Sequence, residues 1–232
     1  MPEGNFFHYD QAAVDHLARK DKKLAAAMQA IGPVRREVMP DLFQALMHAI
    51  TGQQISMAAQ RTVWGRLCGL LGEVTPQALL AQPQTALQAL GLSARKVDYM
   101  RGIARQVVDG ELDLPGMAAL EDAEVCRRLA ALRGIGVWTA EMLLLFSLQR
   151  PDILGYDDLA IRRGLRMLYR HKEMPRERFE RYRRRFSPYG SLASLYLWAI
   201  AGGALPELDD PAERKKGRSR PAACLKSTVT KD

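Results

Sequence analysis

The sequence predicts an all-α protein, on three observations. Apolar residues recur at 3.6-residue spacing along most of the chain. No segment shows convincing period-two alternation of apolar and polar residues, the mark of a half-buried strand. Helix start and stop signals, short polar side chains before and glycines after, punctuate the periodic stretches. Together they imply about eight to ten short helices.

Taken in order, Leu42, Phe43, Leu46, Met47 and Ile50 share one helical face. The next helix starts after Ser56, carries Val63, Trp64, Leu67, Leu70 and Leu71, and stops at Gly72. Thr75-Pro76 is a cap followed by proline in the first helical position. Ser93 opens a helix that turns Val97, Met100, Ile103, Ala104 and Val107 inward and ends near Gly110. Asp122 reads as the cap of a helix through Val125, Leu129 and Leu132. Residues 140–148 are apolar nearly all round, which places that helix at the centre of the fold. Further helices are expected around 159–169, 175–185 and 191–204. Residues 207–232 are polar and broken by Pro211, Gly217 and Pro221; they read as a tail that is disordered or orders on nucleic acid. The organisation expected is thus a helical domain over 1–206 and a basic tail over 207–232.

The 232-residue chain carries a formal charge of +8. From position 214 onward there are seven Lys/Arg and one acid, which leaves 27 against 25 in the body. Most of the surplus is therefore the tail, where it would add non-specific attraction to a phosphate backbone. A second basic run covers 161–185, with eleven Lys/Arg against three acids; a solvated helix face is its competing reading. Cys68, Cys126 and Cys224 form no C-x-x-C pair, which argues against a zinc site, an iron–sulfur cluster or a disulfide framework. His8, His16, His48 and His171 lack metal-ligand spacing and read as structural or surface residues. The N-terminus has no signal-peptide pattern, and no apolar run reaches membrane-spanning length. A cytoplasmic, bacterial-type protein with no membrane partner is the expectation.

The most informative segment is Leu132-Arg133-Gly134-Ile135-Gly136-Val137-Trp138-Thr139-Ala140. Two helices meet there through a tight Gly-Ile-Gly turn, and the second presents free amide N–H groups at its start. Those amides and the helix dipole suit a phosphate, gripped without reading sequence. Gly134, Ile135, Gly136, Val137 and Thr139 are the candidate backbone-binding residues. A plain helix corner is the competing reading until the downstream context is added. About twenty residues later Gly155-Tyr156-Asp157-Asp158-Leu159 puts an acidic pair at a helix start. Asp in that place is usually a cap.

This hairpin followed by Asp158, Ile161 and Arg163 resembles the helix-hairpin-helix DNA glycosylase superfamily, and its alkylation-repair, 3-methyladenine branch in particular. The segments Ile50-Thr51-Gly52-Gln53-Gln54-Ile55-Ser56, Gly91-Leu92-Ser93 with Lys96, and Ser187-Pro188-Tyr189-Gly190-Ser191-Leu192 with Trp198 also match that pattern. The resemblance covers about residues 40–204. It implies a two-lobed helical fold with a cleft between the lobes and the hairpin near 124–149. Because the similarity starts so early in the chain, the N-terminal β-rich domain of some relatives is not expected.

The resemblance assigns Asp158 as the catalytic carboxylate and Asp157 as its neighbour. A fixed carboxylate stabilises the oxocarbenium-like sugar formed as an N-glycosidic bond breaks, and can orient or deprotonate the attacking water. Bifunctional relatives carry a Schiff-base lysine two residues after the second hairpin glycine; Trp138 stands there, so no lyase step is expected by that route. The base must leave the stack to react. Gln54 is the implied wedge that fills the gap, with Gln53 supporting the loop. Trp138 and Trp198 are the expected pocket aromatics, with Tyr189 and Tyr156 lining the cleft; core packing competes for both tryptophans, and Met142 reads as core. An indole face attracts a cationic base such as 3-methyladenine or 7-methylguanine by ~0.5–2 kcal/mol. No catalytic cofactor is implied. The carbonyls of Leu132, Gly134 and Ile135 are a candidate site for a structural monovalent cation. Double-stranded DNA containing damaged bases is the expected partner, and a monomer the expected state. Excision of oxidised or mismatched bases, or a hairpin module that only binds DNA, remain as alternatives.

Overall fold

A computed structural model describes residues 5–213. Those residues form twelve α-helices and one short 3-10 turn at Pro115–Ala119, with a single isolated β-bridge between Phe6 and Glu37. The count exceeds the sequence expectation chiefly because two helices precede residue 40. They are α1 (Gln11–Lys20), capped by Asp10, and α2 (Lys22–Ile31), capped by Asp21. The Asp21 carboxylate accepts from two backbone amides of α2 and is itself buried.

The remaining helices follow the expected pattern closely. They are α3 (Leu42–Gly52), α4 (Met57–Leu71), α5 (Pro76–Ala81), α6 (Gln84–Ala89) and α7 (Ala94–Val108). After the 3-10 turn come α8 (Asp122–Ala130), α9 (Val137–Phe146), α10 (Leu159–Tyr169), α11 (Arg176–Phe186) and α12 (Gly190–Ala201). Ser56, Thr75 and Ser93 each accept the amide three residues on, as their sequence positions predicted. Asp122 does not cap α8. Glu121 holds that position without a side-chain bond, and Asp122 sits in the first turn, where a negative charge still suits the helix dipole.

Two hydrophobic clusters organise these helices. The first gathers Leu46, Met47 and Ile50 of α3, Val97 and Met100 of α7, Val125 and Leu129 of α8, and Leu143–Leu145 of α9. As its all-round apolar sequence predicted, α9 buries Ala140, Leu143, Leu144 and Leu145. The second gathers Leu17, Leu24, Ile161, Leu165, Phe179, Phe186, Leu197 and Ile200, so both ends of the chain close over α10–α12. Within it α10 and α12 approach closely: a Cβ on Gly164 would lie 2.3 Å from the Leu197 carbonyl oxygen. Trp198 is half-buried and packs against both clusters, at the seam between them.

The expected tail begins later than residue 207. Leu205 and Asp210 are buried, and Asp210 receives Arg166 Nε at 3.0 Å with Arg163 also nearby, which fastens residues 207–213 onto α10. The rest of the tail, from 214, lies outside the described residues.

Candidate nucleic-acid cleft and catalytic carboxylate

The hairpin joins α8 to α9. Gly134 adopts φ +89, and the Ile135 amide donates to the Leu132 carbonyl at 3.0 Å, closing the turn. The Tyr99 ring of α7 packs onto Gly134 so tightly that a Cβ there would meet it at 2.3 Å. Ile135 is buried in the first cluster, and its amide is already used in the turn. It therefore holds the hairpin's shape and is no free donor. Gly136 occupies the N-cap of α9 with no side-chain cap. That differs from α3, α4, α7 and α10, whose caps all accept a backbone amide. The first turn of α9 thus keeps unfilled amides beside the exposed Val137, Trp138 and half-buried Thr139, the arrangement an anion requires.

Asp158 is the N-cap of α10. Its Oδ1 accepts from the Ile161 amide at 2.8 Å, and its Oδ2 accepts from Trp138 Nε1 at 2.9 Å. Only 5% of the residue is exposed. The cap role therefore falls on the side chain to which the resemblance assigns catalysis. Asp157 is exposed and is not the cap. Trp138 is 47% exposed, so one edge of its ring holds the carboxylate while its face stays open.

Trp138 also lines a cleft of about 680 Å³, together with Gln53, Gln54, Lys96, Tyr99, Thr139 and Met142. Gln54 stands exposed at the tip of the α3–α4 loop with φ +57. Gln53 turns back instead, and its Nε2 donates to the Gly134 carbonyl at 2.7 Å. The two glutamines thus differ, one exposed and one fastening the loop to the hairpin. That bond also engages one of the three carbonyls considered for a monovalent cation, and Leu132's carbonyl accepts the Ile135 amide. Each of these two carbonyls accepts one hydrogen bond and keeps a second lone pair. Among the described residues no group of His, Cys, Asp and Glu could hold a metal.

The tyrosines do not join this cleft. The Tyr156 ring lies edge-on to Phe179, with the Arg162 and Arg176 guanidinium groups 4.8 and 5.3 Å from its centre. It lines a second hollow of about 240 Å³ with Val137, Glu141, Asp157 and Arg183. Tyr189 packs edge-on to His16 and lines a third hollow with Phe7 and His8. Proximity in sequence to Asp158, or to the Trp198 helix, did not fix where these rings turn. Trp198 stacks on Phe146 with centres 5.6 Å apart and lines none of these three hollows, so its place is in the seam between the clusters.

Three residues have places that the sequence reading did not give them. Met142 is a cleft wall and not core; its signal was the i, i+4 spacing from Trp138. Lys96 donates to the Thr51 carbonyl at 2.8 Å, pinning the end of α3, and burial pushes its amine below the usual lysine range. Glu141 faces the second hollow with one carboxyl oxygen buried and unpartnered. Burial, then the charge of Asp157, pushes it up to about 7. Much of the basic run at 161–185 proves to be internally paired: Arg166 with Asp210, Arg181 with Glu177, Arg183 with Glu180, Arg185 with Asp21.

An all-helical fold in which a glycine hairpin and a glutamine-tipped loop line one cleft, with a capping aspartate bonded to its Trp138 wall, defines a helix-hairpin-helix protein of the DNA-repair kind. The sequence pattern of the HhH-GPD superfamily base excision DNA repair proteins matches residues 47–188, and the chain belongs to that superfamily. It is similar to DNA-3-methyladenine glycosylase 1 of Schizosaccharomyces pombe, 30% identical over 209 residues covering 87% of this chain and 91% of that protein. Among solved structures, a DNA-3-methyladenine glycosidase from Bacillus halodurans superposes with a TM-score of 0.78 at 33% identity, over 88% of this chain and 95% of that one. The S. pombe 3-methyladenine DNA glycosylase in complex with abasic DNA gives 0.71 at 30% identity, over 81% and 95%.

Proposed function

We propose that this chain is a monofunctional DNA glycosylase that flips an alkylated base, of the 3-methyladenine or 7-methylguanine type, out of the duplex and hydrolyses its N-glycosidic bond. The observation that carries the reading is the Trp138–Asp158 pair: an aromatic face open to the cleft, hydrogen-bonded at 2.9 Å to a carboxylate fixed at a helix start. The names of the relatives favour alkylated bases, and so does the chemistry. Such bases are cationic, attracted to an indole face and good leaving groups, so little acid catalysis is needed.

In this reading the amides of Val137, Trp138 and Thr139 hold a phosphate, Gln54 fills the stack, and the base enters beside Trp138 and Met142. Asp158 then faces the sugar, whose developing positive charge its carboxylate stabilises. Its Oδ1 is tied to α10 and its Oδ2 to Trp138, so it meets the transition state without reorienting. Lys96, the amine in the cleft wall, is occupied by the Thr51 carbonyl, consistent with hydrolysis without strand cleavage.

The test is base release from methylated duplex DNA, with strand cutting scored separately, for wild type beside Asp158→Asn. Asparagine still caps a helix well, so the variant should fold normally. The expected outcome is release by wild type, at least ~100-fold less by the variant, and no strand cutting by either. Undiminished release by the variant would place the catalytic carboxylate elsewhere. Binding without release by wild type would leave only a DNA-holding module.

A further inference from the structure

Five of the seven large apolar side chains most exposed among the described residues lie at helix starts or in the loop that carries Gln54. Ile55, Met57, Val137, Trp138 and Leu159 are all exposed, and each lies in the wedge loop or in the first turn of α4, α9 or α10. Met57 is the most exposed of them, at 80%. It is the first residue of α4, whose buried residues are Val63 and Leu67. The cleft wall includes Gln54 but not Met57, which stands three residues on, exposed to solvent.

The backbone beneath Met57 is held at three points. Gln53 is bonded to the Gly134 carbonyl, Lys96 to the Thr51 carbonyl, and Ser56 Oγ accepts the Ala59 amide. A side chain on so fixed a support does not fold back onto the protein when DNA is absent. It is presented to whatever the loop meets. Continuity with the Gln54 tip, and the helix start of α9 close by, make that partner the duplex.

We propose that Met57 is a second insertion residue: it enters the minor groove beside Gln54 and wedges apart the base pairs next to the vacated position. This rests on the DNA-glycosylase reading above. Apolar wedges that pry base steps apart from the minor groove are a general device of DNA-bending proteins. Methionine suits one that must work at any sequence, because its unbranched, polarisable chain adapts to different base faces. Gln54 and Met57 then divide the work, the amide replacing lost hydrogen bonds in the gap and the thioether breaking the neighbouring stack.

The direct test places 2-aminopurine next to an abasic-site analogue in a duplex and follows its fluorescence on binding saturating protein. Wild type should raise the signal by unstacking the reporter. Met57→Ala should lose about half of the rise or more, and Met57→Leu should keep it. A parallel measurement compares base release from methylated duplex and from the same sequence single-stranded. Met57→Ala should slow the duplex reaction about tenfold and leave the single-stranded one unchanged, since no stack is then to be opened. An unchanged fluorescence rise would overturn the proposal, as would an equal loss of rate on both substrates. A wild type that unstacks the reporter but releases no base would overturn the glycosylase reading instead, and the fluorescence comparison would still decide the role of Met57.

Discussion

Asp158 is a helix cap that, in the proposed function, is also the catalytic carboxylate. Its Oδ1 caps α10 and its Oδ2 accepts the Trp138 indole N–H. Removing that donor while keeping an aromatic face separates the contributions of Trp138. Trp138→Phe is expected to lower the single-turnover rate of base release about tenfold, as a freed carboxylate must be reoriented in each event. Binding to an abasic duplex should change little. An equal loss in both measurements would mean that the ring's bulk, and not its N–H, is what matters. The residue scale is also where sequence reading was weakest. Asp158 was legible because its spacing from the Gly-Ile-Gly turn is a pattern along the chain. The directions of Tyr156, Tyr189 and Met142 were not, because a side chain's heading depends on what packs around it. Phe179, Arg162 and Arg176 surround Tyr156, His16 meets Tyr189, and the turn spacing of α9 sends Met142 to the Trp138 side.

At the scale of elements the sequence was far more transparent. Caps and stops act within three or four residues, so Ser56, Thr75, Ser93 and Gly72 could be placed without knowing the fold. The two helices before residue 40 lie outside the region of family resemblance and bury only a short stripe each: Ala13 and Leu17 in α1, Leu24, Ala27 and Met28 in α2. Their caps, Asp10 and Asp21, were the available signal. Helix contacts with a backbone, by contrast, leave little trace in composition. Gly164 lies so close to the Leu197 carbonyl that α10 and α12 would have to separate to admit a methyl group. Gly164→Ala is therefore expected to destabilise the protein by about 2 kcal/mol or more, measured by denaturant unfolding. Gly136→Ala meets nothing within 4 Å and should unfold within about 0.5 kcal/mol of wild type. Equal stability of the two variants would refute the close-packing argument.

For the whole molecule, a partly buried acid makes stability depend on pH. Glu141 is pushed up from its ordinary 4.5 to about 7, first by burial and then by Asp157, against the pull of Arg183 and Arg176. The folded state therefore holds a proton that the unfolded chain releases across that interval. Stability from this group is complete below the unfolded value and falls as pH rises toward 7. Glu141→Gln keeps the neutral shape and removes the penalty. It should be indistinguishable from wild type at pH 4 and more stable at pH 8 by ~1 kcal/mol, discounted for the carboxyl's partial exposure. Thermal melts at the two pH values check this, and a gain at pH 4 equal to that at pH 8 would exclude titration as the cause.

The bond from Gln53 to the Gly134 carbonyl has a consequence for how such a protein travels. In the proposed function it would join the part that probes the bases to the part that grips the strand. A searcher built this way would not glide with its probe raised, because loosening one contact would disturb the other. It would interrogate wherever it took hold, then let go of both together. Inspection would then advance as separate landings along the duplex, each landing a complete trial of the base beneath it.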